Sequence, residues 1–165
     1  MKRRTAWGLC LIAAFAALAF ARSLPRPASL KSGLTFSRAV YARDGRLLQL
    51  TLSADGRRRL WVPLGEISPL LVEATLLNED RRFRLHPGGD PASLLHSAWT
   101  TYGARTRRRG GSTITMQLAR LKYGLDSSRP SGKMIQILRA LQLELLYSKD
   151  RILEAYLNLV PYGGN

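Results

Sequence analysis

Hydrophobic and polar positions follow three different patterns along this chain. Residues 5–21 form an uncharged and largely apolar run. Residues 38–64 contain short stretches in which apolar and polar positions partly alternate, and from Ser68 onward the apolar residues recur with the period of a helix. These patterns predict a mainly α-helical chain in which an apolar N-terminal helix and a small β region precede the helical domain.

The N-terminal run has the composition of a membrane-targeting segment. Basic residues precede it, Arg22 follows it, and the small residues Ala17, Ala19 and Ala21 would suit cleavage of a signal peptide. We favour an uncleaved transmembrane anchor over residues 1–21, because the run almost spans the hydrocarbon core and flanking arginines can snorkel. Since the basic flank stays in the cytoplasm, we expect a single-pass protein of the inner (cytoplasmic) membrane whose remaining residues lie outside the cytoplasm.

A linker and a β meander are predicted between this anchor and the helical domain. Residues 22–37 are rich in Pro, Ser and Arg and lack periodicity, which is typical of a linker. In residues 38–64, two Asp-Gly dipeptides that favour tight turns separate three short runs with strand-like patterns. The predicted strands are residues 38–42, 47–52 and 59–64.

Helix signals recur throughout residues 65–165. A Ser-Pro or Asp-Pro pair begins each of the first two helices, and a glycine follows the second and the third. The predicted helices are residues 68–80, 90–103, 112–123 and 132–147, and a fifth that begins at Ser148.

The fourth predicted helix carries an apolar stripe and a polar stripe. The apolar stripe consists of Met134, Leu138, Leu141 and Leu145. The polar stripe, with offsets of three and four residues, consists of Lys133, Gln136, Ala140 and Glu144. A polar face on an otherwise apolar helix favours the wall of a cleft, although a solvated outer face is the commoner explanation for a single helix.

The composition of the chain limits the kinds of molecule that it is expected to bind. The 165 residues include 26 Lys and Arg against 11 Asp and Glu, which gives a formal net charge of +15. This excess suits an anionic partner such as nucleic acid, an anionic membrane surface or a phosphate-bearing substrate, and the predicted export of the chain argues against nucleic acid. The single cysteine, Cys10, excludes an intramolecular disulfide and a Cys-based zinc site.

Two acidic neighbours, Glu79 and Asp80, are candidates for proton transfer. They lie where the first predicted helix meets the irregular residues 81–89, and a carboxylate at a helix end beside a Gly-rich loop can face a cleft. The alternative is a solvated acidic pair neutralised by nearby arginines. His86 and His96 lack the spacing of metal ligands, so we interpret them as structural.

A second candidate is the Gly-Gly-Ser-Thr sequence at residues 110–113. Glycines that lead into a helix start can bind an anion such as phosphate through free N–H groups. The spacing of a nucleotide-binding P-loop is absent, and an ordinary loop with an N-cap is the alternative. Residues 105–139 hold nine basic residues and one acidic residue, Asp126, which favours the anion.

Together these segments resemble glycosyltransferase family 51, the peptidoglycan glycosyltransferases of class A penicillin-binding proteins and monofunctional transglycosylases. Residues 79–88 resemble the first family motif, E-D-x-x-F-x-x-H-x-G, and residues 110–117 resemble the second, G-G-S-T-I-T-Q-Q. Residues 132–136 correspond to R-K-x-x-E, and residues 149–158 to K-x-x-I-L-E-x-Y-L-N. The resemblance covers roughly residues 38–165 and keeps the order and spacing of the motifs.

The resemblance implies a lysozyme-like, mainly α fold and a reaction on lipid II at the membrane. Glu79 would be the general base that deprotonates the acceptor sugar hydroxyl, and an undecaprenyl pyrophosphate would leave with inversion at the anomeric carbon. The implied partners are lipid II, the growing glycan chain, the membrane and cell-wall synthesis proteins, and a divalent cation (Mg or Mn) bound with the pyrophosphate stays open. The implied catalytic residues are Glu79, Asp80 and Gln136, and the implied substrate-binding residues are Arg120, Lys133, Ser112, Thr113, Thr115 and Gln117.

Two residues depart from the family motifs and point to a subtype. Met116 replaces the first glutamine of the second motif, and Gln136 replaces the glutamate of the third. An amide cannot donate a proton as a carboxylic acid does, so departure of the pyrophosphate would depend on Arg120 and Lys133. Because the family domain continues beyond the last motif seen here, we interpret residues 65–165 as a domain truncated at its C-terminal end.

Two other functions remain compatible with the sequence. A lysozyme-like enzyme could use Glu79 as a general acid to cleave glycan, although the basic residues after position 105 argue against cleavage. An inert, membrane-anchored module that binds lipid II or anionic lipid is favoured by Gln136 and by the truncation.

Overall fold

The computed structural model describes residues 15–27, 29–89 and 112–162. Residues 15–23 are helical. The strands are β1 (Ala39–Tyr41) and β2 (Leu47–Leu50), and two single-turn 3-10 helices cover Leu64–Glu66 and Phe83–Leu85. The longer helices are α1 (Pro69–Glu79), α2 (Ile114–Tyr123), α3 (Pro130–Leu146) and α4 (Lys149–Leu159). The mainly α-helical prediction is therefore confirmed for the described residues.

The sheet in the described residues has two strands, where the sequence predicts three. β1 and β2 pair antiparallel with Ala39 opposite Leu50, and the register is irregular between Val40 and Tyr41. The predicted third strand, 59–64, contacts the residue just before the predicted first strand: Ser37 N–H donates to the Arg59 carbonyl at 2.9 Å, and Arg59 N–H donates to Ser37 Oγ at 2.9 Å. Beyond this point the backbone of Val62 and Leu64 is bound by side chains of α4 and not by a neighbouring strand. The prediction of a third strand is wrong for this reason.

The termini of the helices follow local signals in the sequence. Pro69 occupies the first turn of α1, and the hydroxyl of Thr113 caps α2 by accepting from Met116 N–H at 3.2 Å. Gly124 ends α2 with a φ of 60°, a conformation that glycine adopts without strain. Ser148 caps α4, as predicted. The helix predicted at 90–103 lies outside the described residues.

The core is built mainly by α2, α3 and α4. It includes Ile114, Met116 and Leu118 from α2, Ala140 and Leu143 from α3, and Ile152, Leu153 and Tyr156 from α4. Phe83 joins this core from the turn after α1, whereas α1 itself has no fully buried residue. The short helix α1 thus lies on the outside of the core, and its C-terminal residues lie beside α2.

The two stripes of α3 lie opposite to the usual arrangement. Gln136 and Ala140 of the polar stripe are buried, whereas Met134 and Leu145 of the apolar stripe are 58% and 41% exposed. The polar stripe therefore faces the interior of the domain. This face is therefore not a solvated surface, and of its four residues Gln136 lines a cavity, so the predicted cleft wall applies to that part of the stripe.

Residues after the N-terminal helix pack against α2 and α3. The Gln142 amide donates to the Leu24 carbonyl at 2.7 Å, and the Arg139 guanidinium donates to the Pro25 carbonyl at 2.9 Å. Lys122 donates to the backbone and side chain of Ser32, and Leu30 is buried in the core. The segment predicted as a linker is thus attached to the helical domain over part of its length.

The predicted anchor at residues 1–21 is only partly described. In the portion that the structure covers, no helix has both the length and the apolar character needed to cross a membrane.

Candidate active site

The end of α1 places two neighbouring carboxylates in different environments. Glu79 is the last residue of the helix and is exposed, while Asp80 follows in a non-helical conformation, with φ −161° and ψ 80°, and is buried. Because the backbone leaves the helix between them, the two side chains have separate surroundings. Only Glu79 lines a cavity.

Asp80 joins the first and second motifs from within the protein. Its carboxylate lies 3.0 Å from His86 Nε2 through both oxygens and accepts a hydrogen bond from Ile114 N–H at 3.1 Å. That N–H belongs to the first turn of α2, where backbone donors lack helical partners and negative charge is favoured. Asp80 and His86 therefore fix the turn after α1 to the start of α2.

A second internal group holds the loop that contains Gly88. Thr113 Oγ1 donates to the Gly88 carbonyl at 2.6 Å, and Thr115 Oγ1 donates to Glu144 Oε1 at 2.5 Å. Gly88 has a φ of +86°, and a Cβ there would lie 3.0 Å from Glu144 Cγ. The glycine of the first motif is thus required both by its conformation and by close packing against α3.

Lys149 completes this internal group from the start of α4. Its ammonium donates to Glu144 Oε1 at 2.8 Å and to the His86 carbonyl at 2.6 Å, and lies 4.4 Å from the centre of the Phe83 ring. Glu144 is nearly buried, and its charge is compensated by Lys149. The structure therefore places Asp80, Thr113 and Thr115 behind the cavity, not on its surface.

The remaining candidate residues surround a cavity of about 400 Å³ between α1, α2 and α3. Its lining consists of Asn78, Glu79, Ser112, Gln117, Arg120 and Gln136. A larger groove, of about 1200 Å³, contains none of the predicted site residues. The smaller cavity is therefore the candidate active site.

The Glu79 carboxylate is held by amide donors. Gln117 Nε2 donates to Glu79 Oε2 at 2.8 Å, and Asn78 Nδ2 donates to Oε1 at 3.3 Å. The Tyr156 hydroxyl donates to Gln117 Oε1 at 3.2 Å. Burial, followed by the nearby Glu79 charge, raises the pKa of Tyr156 to about 12, so the hydroxyl keeps its proton at physiological pH.

Two cations lie at or beside the cavity. Lys133 Nζ donates to Ser112 Oγ at 2.6 Å, and Arg120 lines the cavity. Burial and then the charge of Arg120 lower the pKa of Lys133. Within the described residues neither cation forms an ion pair with a carboxylate. Two unpaired cations that repel each other favour binding of an anion.

Gln136 lies at the cavity wall with its amide held from within the protein. Its Nε2 donates to the Met116 carbonyl at 2.7 Å, and the residue is 1% exposed. A carbonyl can only accept, so this contact fixes which end of the amide faces Met116. In the described part of the chain, Gln136 Oε1 is buried without a hydrogen-bond partner.

The cavity is a poor match for a protein-bound metal ion. Glu79 is the only carboxylate in its described lining, and no group of three His, Cys, Asp or Glu residues within the ranges given above could hold a metal ion. A divalent cation would take most of its ligands from a bound pyrophosphate, with Glu79 as the protein oxygen ligand at hand.

Sequence reasoning missed the contacts made by the fourth motif. Tyr156 lies among apolar residues of that motif, yet its hydroxyl donates to Gln117 Oε1. Glu154 accepts hydrogen bonds from Trp61 Nε1 at 2.8 Å and Leu64 N–H at 3.0 Å, and Asn158 pairs with both backbone groups of Val62 at 2.8 Å. The polar groups of these residues, which stand among apolar positions of the helix, were the one signal in the sequence that could have indicated such contacts.

Comparison with known proteins defines the class to which this arrangement belongs. Residues 44–165 match the model of the transglycosylase family, and the chain belongs to that family. This family assignment identifies the described cavity as part of a glycosyltransferase domain of the kind found in class A penicillin-binding proteins.

Three relatives illustrate the similarity. The chain is 44% identical to penicillin-binding protein 1C of Escherichia coli (strain K12) over 130 residues, which are 78% of this chain and 16% of that protein. It is 35% identical to penicillin-binding protein 1A of the same strain over 141 residues, 85% of this chain and 16% of that protein. It is also 41% identical to the biosynthetic peptidoglycan transglycosylase of Pasteurella multocida (strain Pm70) over 105 residues, 64% of this chain and 42% of that protein. The chain thus spans only a small part of the penicillin-binding proteins it matches.

Proposed function

We propose that this chain carries the acceptor-activating and diphosphate-binding residues of a peptidoglycan glycosyltransferase that polymerises lipid II. The observation that carries the proposal is a single cavity lined by one carboxylate, Glu79, and by Arg120, with Lys133 beside it at Ser112. Glycosyl transfer from a lipid pyrophosphate needs a base for the acceptor hydroxyl and positive charge for the leaving diphosphate. The cavity offers both.

In this proposal Glu79 acts as the general base. Its carboxylate removes the proton from the acceptor sugar hydroxyl, and the resulting oxygen nucleophile attacks the anomeric carbon of the donor. The bond between that carbon and the pyrophosphate oxygen breaks with inversion, and the pyrophosphate leaves with the electron pair. Donation from Gln117 to Glu79 stabilises the charged carboxylate, which suits a base better than an acid.

Arg120 and Lys133 would stabilise the leaving pyrophosphate. An anion between them would relieve their mutual repulsion and would offset the desolvation that lowers the pKa of Lys133. Charge-assisted hydrogen bonds of this type strengthen as negative charge develops on the leaving oxygen. No second carboxylic acid is then needed on the described cavity wall.

Gln136 would form part of the cavity wall without acting as an acid. Its Nε2 donates to the Met116 carbonyl and its Oε1 is buried, so the amide is fixed in place. An amide has no proton to give near neutral pH, so this position would shape the site and not protonate the leaving group.

The membrane assignment belongs to the same proposal. The basic and apolar N-terminal sequence would anchor the protein in the cytoplasmic membrane, with the cavity on the extracytoplasmic side, where a lipid-linked sugar is accessible. Other cell-wall synthesis proteins are the expected protein partners.

The decisive experiment supplies labelled lipid II to the protein at its full encoded length in detergent or liposomes. We expect elongated glycan strands and release of undecaprenyl pyrophosphate. Cleavage of preformed glycan without a need for lipid pyrophosphate would instead establish a lysozyme-like hydrolase. Saturable binding of lipid II without any product would establish an inert binding module.

A further inference from the structure

One hydroxyl outside the cavity lining is connected to Glu79 through a single side chain. The Tyr156 hydroxyl donates to Gln117 Oε1 at 3.2 Å, and Gln117 Nε2 donates to Glu79 Oε2 at 2.8 Å. We propose that Tyr156 is a positioning residue for Glu79, because its hydroxyl selects the orientation of the Gln117 amide. The inference rests on the proposed function of Glu79 as a base.

The orientation of Gln117 matters because the two ends of an amide act in opposite ways. The NH2 end donates and stabilises a carboxylate, whereas the carbonyl end would repel it. A donor placed at Oε1 fixes the NH2 end toward Glu79. Tyr156 supplies that donor from the side of the amide opposite Glu79.

Tyr156 is suited to this role because its own position is fixed. The residue is 2% exposed within the core, so its ring has little freedom to move. Two other residues of α4, Glu154 and Asn158, bind the backbone of residues 62–64. The hydroxyl is therefore presented from a rigid element, whereas Glu79 lies at the exposed end of α1.

The charged and titratable groups around this hydroxyl come from three places. Glu79 approaches from α1, Arg120 from α2, and Tyr162 from the residues after α4. Burial has the largest effect and raises the pKa of Tyr156. The negative charge of Glu79 raises this pKa further, and the positive charge of Arg120 lowers it. The result keeps the hydroxyl in the protonated form that can donate.

The test is Tyr156→Phe in the full-length protein, with Tyr123→Phe as the matched control. Phenylalanine preserves the buried ring and removes the hydroxyl. The Tyr123 hydroxyl is also buried, lies beside Arg139, makes no contact with Glu79 or Gln117 among the described residues, and lies outside the cavity lining. Removal of this hydroxyl should leave lipid II polymerisation unchanged.

For Tyr156→Phe we expect kcat to fall roughly five- to tenfold, as for the loss of one hydrogen bond, with a change in KM of less than about twofold. Because Gln117 then donates less effectively to Glu79, the acidic limb of kcat/KM should move to higher pH. An unchanged kcat, or a lower kcat with an unchanged pH profile, would overturn the assignment.

A second measurement separates this inference from the proposed function. The side-chain NH2 protons of Gln117 can be followed by NMR in nitrogen-labelled protein, with Gln117→Ala to assign the signals. Tyr156→Phe should speed the exchange of these protons with solvent and Tyr123→Phe should not, whether or not the protein polymerises lipid II. Equal exchange rates in the wild type and Tyr156→Phe would overturn the inference. Absence of polymerisation by the wild type would contradict only the proposed function.

Discussion

Glu79 and Asp80 show how strongly the surroundings of a residue decide its role. Both are acidic neighbours in the first motif, yet Asp80 is buried against His86 and the start of α2, whereas Glu79 faces the cavity. The sequence predicts a carboxylate pair at a helix end. It cannot predict which of the two lies inside, because that depends on the single residue at which the backbone leaves the helix.

The cations Arg120 and Lys133 lead to the first prediction at this scale. Replacement of either with Ala should weaken binding of inorganic pyrophosphate or of a lipid pyrophosphate by about 1.5 to 3 kcal/mol, because each removes a charge-assisted hydrogen bond. Isothermal titration calorimetry measures the loss. Arg129→Ala is the matched control, since Arg129 is an exposed cation of the same basic region that does not line the cavity. Equal affinities in all four proteins would refute the diphosphate site.

The lowered pKa of Lys133 gives a second prediction. Burial and Arg120 favour the neutral amine, so the ammonium loses its proton below the usual value of 10.5. As the pH rises from 7 toward 10, the wild type should therefore lose affinity for pyrophosphate relative to Lys133→Arg, because only the protonated amine binds an anion and arginine keeps its charge throughout this range. The ionisation of pyrophosphate itself is the same in both titrations. An identical pH dependence in wild type and Lys133→Arg would contradict this assignment.

At the scale of elements, the helices were predictable and their packing was not. Pro69, Gly124 and Ser148 act through local backbone chemistry, so they mark the ends of helices in the sequence as they do in the structure. The start of α3 was less predictable, because this helix begins at Pro130 and not at the predicted residue 132. Its orientation runs against the pattern of apolar positions, because Gln136 is buried while Met134 is exposed. The prediction of a third strand was wrong because an alternating pattern does not reveal that side chains from a distant helix, here α4, bind the same backbone groups.

The contacts of α4 with residues 61–64 give a prediction for stability. Glu154→Ala removes the acceptor for Trp61 Nε1 and Leu64 N–H, and should lower the free energy of unfolding by roughly 3 kcal/mol. Urea unfolding followed by tryptophan fluorescence measures the change. Glu73→Ala replaces an exposed glutamate of α1 and should cost less than about 0.5 kcal/mol. Equal losses in the two variants would show that the Glu154 contacts do not stabilise the domain.

At the scale of the whole molecule, the N-terminal segment and the cavity share the same helices. Gln142 and Arg139 of α3 hold the carbonyls of Leu24 and Pro25, while Gln136 of α3 and Arg120 of α2 line the cavity. In a membrane-anchored protein, this attachment would fix the cavity relative to the bilayer surface from which a lipid-linked donor must enter. The sequence predicts the linker by its composition, but a backbone carbonyl bound by a distant side chain leaves no signal in that composition.

At this scale the structure also shows where part of the positive charge lies. A formal net charge of +15 predicts an anionic partner without saying where it binds. The structure places Arg120 and Lys133 together beside the cavity, while Lys149 is used internally by Glu144. Two lysines of the same chain thus lie beside the cavity in one case and in an internal ion pair in the other, and only the fold distinguishes them.

The initial rate of lipid II polymerisation by Glu79→Gln, in the protein at its full encoded length, tests the central claim most directly. Glutamine keeps the size of the side chain but carries no charge and cannot take up the proton of the sugar hydroxyl, so the rate should fall at least about 100-fold. Glu73→Gln, at an exposed position of the same helix outside the cavity, should retain the wild-type rate. A Glu79→Gln rate within about threefold of the wild type would contradict the assignment of Glu79 as the base.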